Sequence, residues 1–549
     1  MRDTASSNGL TAMAVAGTNV VMLGWDMPAS QIQAEDILGF SIRRKRASDQ
    51  EVRWMTGMKT FQSVTPNPAP GVPVSTHKHP VQSFQWADFS VSPGQTYTYR
   101  IVARRAPAPA LTNGSEVTLT VTTEAIDVGP HAIFFNRGAV ASQEYARRFQ
   151  NQRPDAVGQA AFDWLSRGLL EGLEAFILTA GAGSELFGAF FEFKNERVYK
   201  ALKAAKARGA QIKILYDGDS QSEKNEEALE NSGIKGLTKP REHSGNYAHN
   251  KFLVLRHNGT AVAVWTGSTN LTQGAIFGHL NVGHLIGDPA VGQRFLDYWA
   301  QLADQTLTTA KLRLWTESTN PVDLAAPGIA TIFSPRATTS SLLDGYAGAF
   351  DGGISSAHIT GAFGLNKVFR QRLGVDRDVV RTVLLDQEPD AGQEIPTVDL
   401  DVRVSWGDYL RKVTFEQWAD EHLTNFNSWV KFIHTKIIMI DPLAPASVTL
   451  TGSANYSDNS TTDNEENTVV IRGDGTAAGD AAARRVADVY LTEYQRLFMH
   501  FVFRDWAAKD AETGEGGGFL AEDDSWTARY YEPGGWRARQ RATFASPVA

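Results

Sequence analysis

The sequence contains no cysteine, which excludes disulfides, thiolate nucleophiles and cysteine-ligated zinc and leaves the redox compartment unmarked. It also lacks long hydrophobic runs, and no stretch approaches the ~18 consecutive apolar residues of a membrane-spanning helix. The start, MRDTASSNGLTAMAVAG, has neither the cationic end nor the continuous apolar segment of a secretory signal. The chain therefore reads as soluble, either cytoplasmic or exported by a signal-independent route. A basic excess is missing too: 53 Lys and Arg against 61 Asp and Glu give a formal charge of −8. No global field draws the chain to nucleic acid or anionic membrane, so any attraction for phosphate must be local. What is present is 549 residues at 42% hydrophobic, enough for several domains with cores of their own.

Over residues 1–125 short alternating segments are separated by turn formers: VVMLGWD, ILGFSIRRK, FQWADFSV, QTYTYRIVAR and VTLTVTTE. This spacing predicts an antiparallel β-sandwich. Trp25 lies on an early strand, and Pro93-Gly94 turns the chain into the strand carrying Tyr97 and Tyr99, the places where a sandwich keeps a buried Trp and a corner Tyr. The stretch resembles a fibronectin type III domain, which implies either a packing appendage or a docking module. His77 and His79 in the Pro-rich loop between Lys59 and Val81 lack a third ligand and read as ordinary loop residues rather than a metal pair.

From about residue 130 strands alternate with helices. AFILTAGAG (175–183) reads as a buried strand, NERVYKALKAAKARG as a helix with Val198, Leu202 and Ala205 on one face ending on Gly209, and QIKILYD as the next strand. Together they form a β-α-β unit, and hence a sheet covered by helices.

An internal repeat organises this region. His249-Asn250-Lys251 is followed by FLVL, AVAVWT and Gly267-Ser268-Thr269-Asn270; His434-Thr435-Lys436 is followed by IIMID, SVTLT and Gly452-Ser453-Ala454-Asn455. The four anchors His, Lys, Ser and Asn are each displaced by 185 residues (434 − 249, 436 − 251, 453 − 268, 455 − 270). HAIFFNR pairs with ATIFSPR upstream, QIKILYD with VVRTVLLD, and FLDYWAQL with VYLTEYQRLF downstream. The predicted organisation is a sandwich over 1–125, one α/β half over 126–310, a second over 311–503, and a linker and tail over 504–549. The fold class is α/β, two pseudo-twofold-related halves with central mixed sheets behind an all-β sandwich.

These motifs resemble the phospholipase D superfamily, whose signature is one His-x-Lys, a following Asp, and a Gly-Ser-x-x-Asn segment per half. The second copy has Asp441 five positions after Lys436; the first has Arg256 there. Eleven positions past the Asn the second half has Glu466, whereas the first has Asn281, which leaves His249 without an acid in its own half. The resemblance implies a metal-independent, cofactor-free phosphodiesterase and a phosphohistidine intermediate, with His249 the nucleophile and His434 the general acid. It makes Lys251, Lys436 and Glu466 catalytic, Ser268, Asn270, Ser453 and Asn455 substrate-binding, and Asp441, Gly267, Gly452 and Asn281 parts of the motif's scaffold. Because both half-sites lie in one chain, a monomer is expected.

The chemistry accounts for the residue types. Residues two apart on a strand face the same way, so the His and Lys of each motif enter one pocket together. Cationic lysines and amide donors offset the charge of a phosphodiester and its transition state in place of a metal. One neutral imidazole attacks phosphorus while a protonated one serves the leaving oxygen, and a carboxylate such as Glu466 would fix an imidazole tautomer. Gly267 and Gly452 read as a backbone donor loop. A single His-x-Lys on a strand would be an ordinary polar pair; two at identical spacing to Gly-Ser-x-x-Asn are not. His243, His279, His284 and His358 are expected to be structural. Substrate is less legible: the longer second-half insert holds Trp406, Trp418 and Trp429, read mainly as the core of an added helix over TFEQWADEHLTNFNSWV, and AAKDAETGEGGG reads as a flexible linker before a tail that packs on the halves or closes over them. Three readings are ordered by these observations. A lipid- or small-diester-cleaving enzyme comes first because the acidic balance disfavours a polyanion; a nuclease or nucleic-acid-end-processing enzyme comes second and a non-catalytic binding protein third.

Overall fold

The computed structural model describes the chain except residues 69–71, 139–141, 151, 243–246, 398–400, 408–432, 514–518 and 547–549. His243, Trp418, Trp429 and the helix expected over 414–430 lie outside the described residues.

The N-terminal region forms two four-stranded antiparallel sheets. One runs Arg2–Ser7, Leu10–Ala16, Val21–Asp26, Gln85–Asp88, and the other Thr112–Thr122, Thr96–Arg105, Ile37–Arg46, Val52–Trp54. Their inner faces share a core that includes Leu23, Trp25, Phe40, Ile101 and Leu119. Trp25 is fully buried, and the Tyr97 hydroxyl accepts from the Ser92 N–H at 3.0 Å, pinning the corner. The first two strands occupy the segment read only for a signal; they close on Asn8-Gly9, both with positive φ, a hairpin turn that Asn-Gly favours. His79 accepts from the Phe61 N–H, and His77 stacks on Trp54.

Beyond it stand two seven-stranded mixed sheets with the same spatial order. The first runs His131–Phe135, Val282–Ile286, Thr260–Gly267, Lys251–His257, Ser184–Phe190, Gln211–Asp217, Thr238–Arg241. The second runs Ile329–Ser334, Glu466–Ile471, Val448–Gly452, Ile437–Ile440, Ser356–Gly361, Val380–Leu385, Val402–Trp406. Pairing directions match strand for strand, the last three in each being parallel and the rest antiparallel. The register also matches: Leu253 pairs with Gly188 and Ile438 with Ile359, each two residues past the motif lysine.

One reading is corrected. AFIL is not a strand but the end of the helix Leu169–Leu178, whose buried Leu169, Leu170, Leu173, Phe176 and Ile177 fall at helical spacing; the strand starts at Ser184. The apolar run alone could not separate the two, since the period becomes visible only with the upstream leucines. The helix Glu196–Ala207 and the strand Gln211–Asp217 stand as expected, with Asn195 capping the helix through the N–H groups of Arg197 and Val198.

A 37-residue helix, Ala477–Thr513, runs through the centre. AAKDAET, read as linker, completes it; Ala, Lys and Glu are good helix formers, and nothing in that stretch breaks the pattern. Val486, Val489, Tyr490, Tyr494 and Phe498 share one core with Met13, Val15 and Met22 of the sandwich, Phe135 and Val282 of the first half, and Phe333 and Ile437 of the second. On the polar side of the helix Glu493 pairs with Arg167 at 2.6 Å and with Arg496 at 2.8 Å. Among the described residues no helix is long and apolar enough to cross a membrane.

The tail packs on the sandwich and, through Phe544 beside His358 and Trp536 beneath Arg403, against the second half. Phe519–Leu520 pairs in parallel with Thr60–Phe61, Trp526 stacks on Phe84 at 5.5 Å and donates to Ile37 O at 3.2 Å, and the helix Trp536–Ala545 lays Phe544 O against Gly24, where a Cβ would sit 1.9 Å away. Arg539 then reaches Asp401 of the second half at 2.6 Å. The sandwich is thus clamped to the α/β body through its own face and through the tail.

Candidate active site

Each His-x-Lys leads into a central strand: Lys251 opens Lys251–His257, and Lys436 directly precedes Ile437–Ile440. The approach is fixed by an aspartate at the end of the neighbouring parallel strand. Asp217 accepts from the Ala248 N–H at 3.0 Å, and Asp386 from the Ile433 N–H at 2.8 Å. Each therefore holds the residue preceding a motif histidine. Both end segments already matched in the sequence, QIKILYD and VVRTVLLD, but order alone does not reveal this role. Each motif lysine folds back to donate to the carbonyl of its own histidine, Lys251 Nζ to His249 O at 2.6 Å and Lys436 Nζ to His434 O at 2.7 Å.

The orienting groups cross between the halves. His249 Nδ1 lies 2.9 Å from Glu466 Oε2, and His434 Nδ1 lies 2.9 Å from Asn281 Oδ1. The displacement of 185 residues that carries 249 to 434 also carries 281 to 466 (434 − 249, 466 − 281), so the two contacts exchange under the pseudo-twofold. This corrects the expectation that Asn281 leaves His249 unoriented: His249 has its carboxylate from the other half, and His434 is the histidine held by an amide. Backbone contacts tie the same strands, His434 N–H donating to Leu280 O at 3.0 Å and Glu465 N–H to Tyr247 O at 3.0 Å. Arg241 bridges to Glu465 at 2.8 Å with both side chains buried, and Asn467 Nδ2 donates to Asn250 Oδ1 at 2.9 Å.

Ser268 and Ser453 are fully buried with their hydroxyls engaged inside the protein. Ser268 donates to Asn281 Oδ1 at 2.8 Å and accepts from the Val282 N–H at 3.1 Å, while Ser453 accepts from the Asn467 N–H at 3.0 Å. Ser268 thereby holds the amide that orients His434. Gly267 and Gly452 do not form a donor loop: the following N–H groups are spent on Val282 O and Asn467 O. The glycines instead admit a close neighbour, since a Cβ on either would sit 2.2 Å from those carbonyl oxygens. The Oδ1 atoms of Asn270 and Asn455 are buried without a hydrogen-bond partner.

Asp441 faces away from the pocket and accepts from the N–H groups of Ile354, Ser355 and Ser356. Its counterpart Arg256 pairs instead with Glu185 across the strand, so the replacement costs the first half a loop anchor and no pocket group.

His279, expected to be structural, stands edge-on to His434 with ring centroids 4.9 Å apart and 3.3 Å from Asn281 Nδ2. Its signal was its place two residues before Asn281. His284 contacts His131 and Tyr490, and His358 contacts Thr382. Phe191 packs edge-on to His249 at 4.8 Å and beneath Lys251 Nζ at 5.2 Å.

Burial dominates the electrostatics. It pushes His249 below its ordinary range, with Glu466 opposing and Lys251 adding. His434 is pushed much further down, first by burial and then by Lys436, His279, Lys251 and His249. Burial holds Lys251 down to about 8 against the pull of Glu466, and puts Lys436 well below its usual value with Lys251 adding. An anion entering the site opposes these shifts and raises the affinity of all four groups for protons. Binding of dimethyl phosphate near pH 7 is expected to take up about one proton. Calorimetry in two buffers of different ionisation enthalpy checks this; proton release, or no linkage, contradicts it.

Among the described residues no group of three or more His, Cys, Asp or Glu side chains could hold a metal ion.

Residues 177–303 and 375–486 match the family model described as "Cardiolipin synthase, PLD-like domain". The chain thus carries a phospholipase D-like domain in two segments, one containing each His-x-Lys, consistent with the phospholipase D superfamily. No curated protein matches the chain. Among solved structures it is similar to phosphatidylserine synthase of Haemophilus influenzae Rd KW20, at 11% identity and TM-score 0.42 over 64% of this chain and 92% of that one. It is also similar to yeast tyrosyl-DNA phosphodiesterase, at 14% and 0.32 over 55% and 86%. A third is NUC, a phospholipase D family member from Salmonella typhimurium, at 26% and 0.21 over 25% and 87%.

Proposed function

We propose that this chain is a phosphodiesterase of the phospholipase D type, hydrolysing or transferring a phosphodiester through a covalent phosphohistidine without a metal. The observation that carries the reading is the crossed pair of orienting contacts, Glu466 on His249 and Asn281 on His434. A carboxylate on Nδ1 fixes the tautomer that leaves the Nε2 lone pair free and stabilises the cationic ring formed when that nitrogen bonds to phosphorus. An amide oxygen on Nδ1 orients His434 without adding negative charge, which suits a group that must give its proton up.

His249 Nε2 forms a bond to phosphorus as the bond to the leaving oxygen breaks, and His434 passes its Nε2 proton to that oxygen. In the second step His434 takes a proton from a water or alcohol whose oxygen attacks phosphorus, and His249 leaves. Lys251 and Lys436 offset the developing charge on the equatorial oxygens, with Asn270 and Asn455 as further polar partners. The buried serines position the strands around the pocket.

A lipid or small diester is the favoured substrate, because the acidic balance of the chain disfavours a polyanion. One observation favours nucleic acid as a second reading: a groove of about 540 Å³ on the first half is lined by Lys194, Lys200, Lys203 and Lys224, although Glu196 and Glu227 share it. The test is turnover of phosphatidylcholine, bis(p-nitrophenyl) phosphate and single-stranded DNA with a chelator present throughout. Activity on at least one diester is expected to be unchanged by the chelator, since the lysines do the work of a metal. Loss of all turnover, restored by a divalent ion, contradicts the reading.

A further inference from the structure

Glu192 is a pocket-side carboxylate that the proposed mechanism does not use. It lies just past the strand Ser184–Phe190, half-buried, and accepts from Asn270 Nδ2 at 2.6 Å and from Lys194 Nζ at 2.9 Å. Its main chain is held as well, Glu192 O accepting from the Leu271 N–H at 3.0 Å. Its charge also reaches Lys251, whose proton it helps to retain. A negative charge therefore stands one amide away from the phosphate pocket.

The scaffold does not require it. The register equates Gly188 with Ile359, so four residues on Glu192 corresponds to Phe363, and three further Asn195 corresponds to Asn366. Both asparagines cap the helix that follows, which confirms the equivalence. The second half closes the same turn with Phe363, 63% exposed, so no acid stands at that position. The acid is an addition to one side of a symmetric frame.

Resting on the reading of this pocket as a phosphodiester site, we infer that Glu192 selects monoanionic diesters against dianionic monoesters. A diester brings one negative charge, which the two lysines meet. A monoester near neutral pH brings nearly two, and the second faces the Glu192 carboxylate in a buried setting where unit charges interact strongly. Asn270 transmits no charge of its own, so the effect is electrostatic and separable from its positioning.

Methyl phosphate and dimethyl phosphate differ by one methyl group and one charge, and their binding to the full chain, followed by NMR titration at about pH 8, tests the inference. Wild type is expected to prefer dimethyl phosphate. Glu192→Gln keeps an acceptor for Asn270, and should tighten methyl phosphate by on the order of tenfold and dimethyl phosphate by only about threefold, since one charge feels the lost potential half as strongly as two. Lys194→Gln, which strips the carboxylate of its counter-ion, should shift the ratio the other way and stands as the second variant should the first be unstable. Equal changes for both ligands, or none in either variant, overturn the role of Glu192 and leave the phosphodiester reading standing. Failure of wild type to bind either ligand overturns that reading and this inference with it.

Discussion

His249→Ala is expected to abolish turnover of every diester, good leaving group or poor, by on the order of 10⁵-fold or more. The other near histidines, His279 and His434, meet the Asn281 amide at Nδ1 where His249 meets a carboxylate, so neither has the same support for the cationic ring that attack creates. His434→Ala should behave differently. It removes the proton donor, and a p-nitrophenolate needs little protonation to depart, so the first step should survive on bis(p-nitrophenyl) phosphate while esters of ordinary alcohols are lost. Burst kinetics on the two substrate classes reads the difference. A burst in His249→Ala and none in His434→Ala would exchange the two roles.

The second large effect is expected at Glu466. Glu466→Gln keeps the shape of the contact to His249 Nδ1 but can present a donor to it, which disfavours the tautomer that attack requires. A loss on the order of 10⁴-fold in kcat is expected, by analogy of role with the orienting aspartate of a catalytic triad, with the melting temperature little changed. Asn281→Ala should cost far less, about tenfold, because it removes orientation and no charge. Similar losses in the two variants would mean that the crossed contacts are merely structural.

Much of this was legible in the sequence, and the failures have physical reasons. The constant displacement of 185 residues (434 − 249) announced two equivalent halves, and the halves form sheets of identical order. What a linear comparison could not supply was which half serves which histidine. Glu466 and Asn281 follow the motifs of their own halves in sequence, yet the histidines they contact lie across the pseudo-twofold from them, so orientation passes between halves. The helix Leu169–Leu178 was missed because a four-residue apolar run fits either periodicity. The N-terminal hairpin did carry a signal, Asn8-Gly9, that reading the segment only as a possible leader passed over. The tail's aromatic residues gave no address: Trp526, Tyr530 and Tyr531 could have covered any apolar face, and the one they cover belongs to Phe84 and Phe40 of the sandwich.

The most direct test of the account is the identity of the covalent adduct. Full-length His434→Ala, mixed with bis(p-nitrophenyl) phosphate, quenched, kept at alkaline pH and digested, should yield by mass spectrometry a p-nitrophenyl phosphoryl group on the peptide carrying His249, formed in step with the burst of p-nitrophenolate and absent from His249→Ala. An adduct on His434 in the wild type, or turnover with no adduct on either histidine, would contradict it.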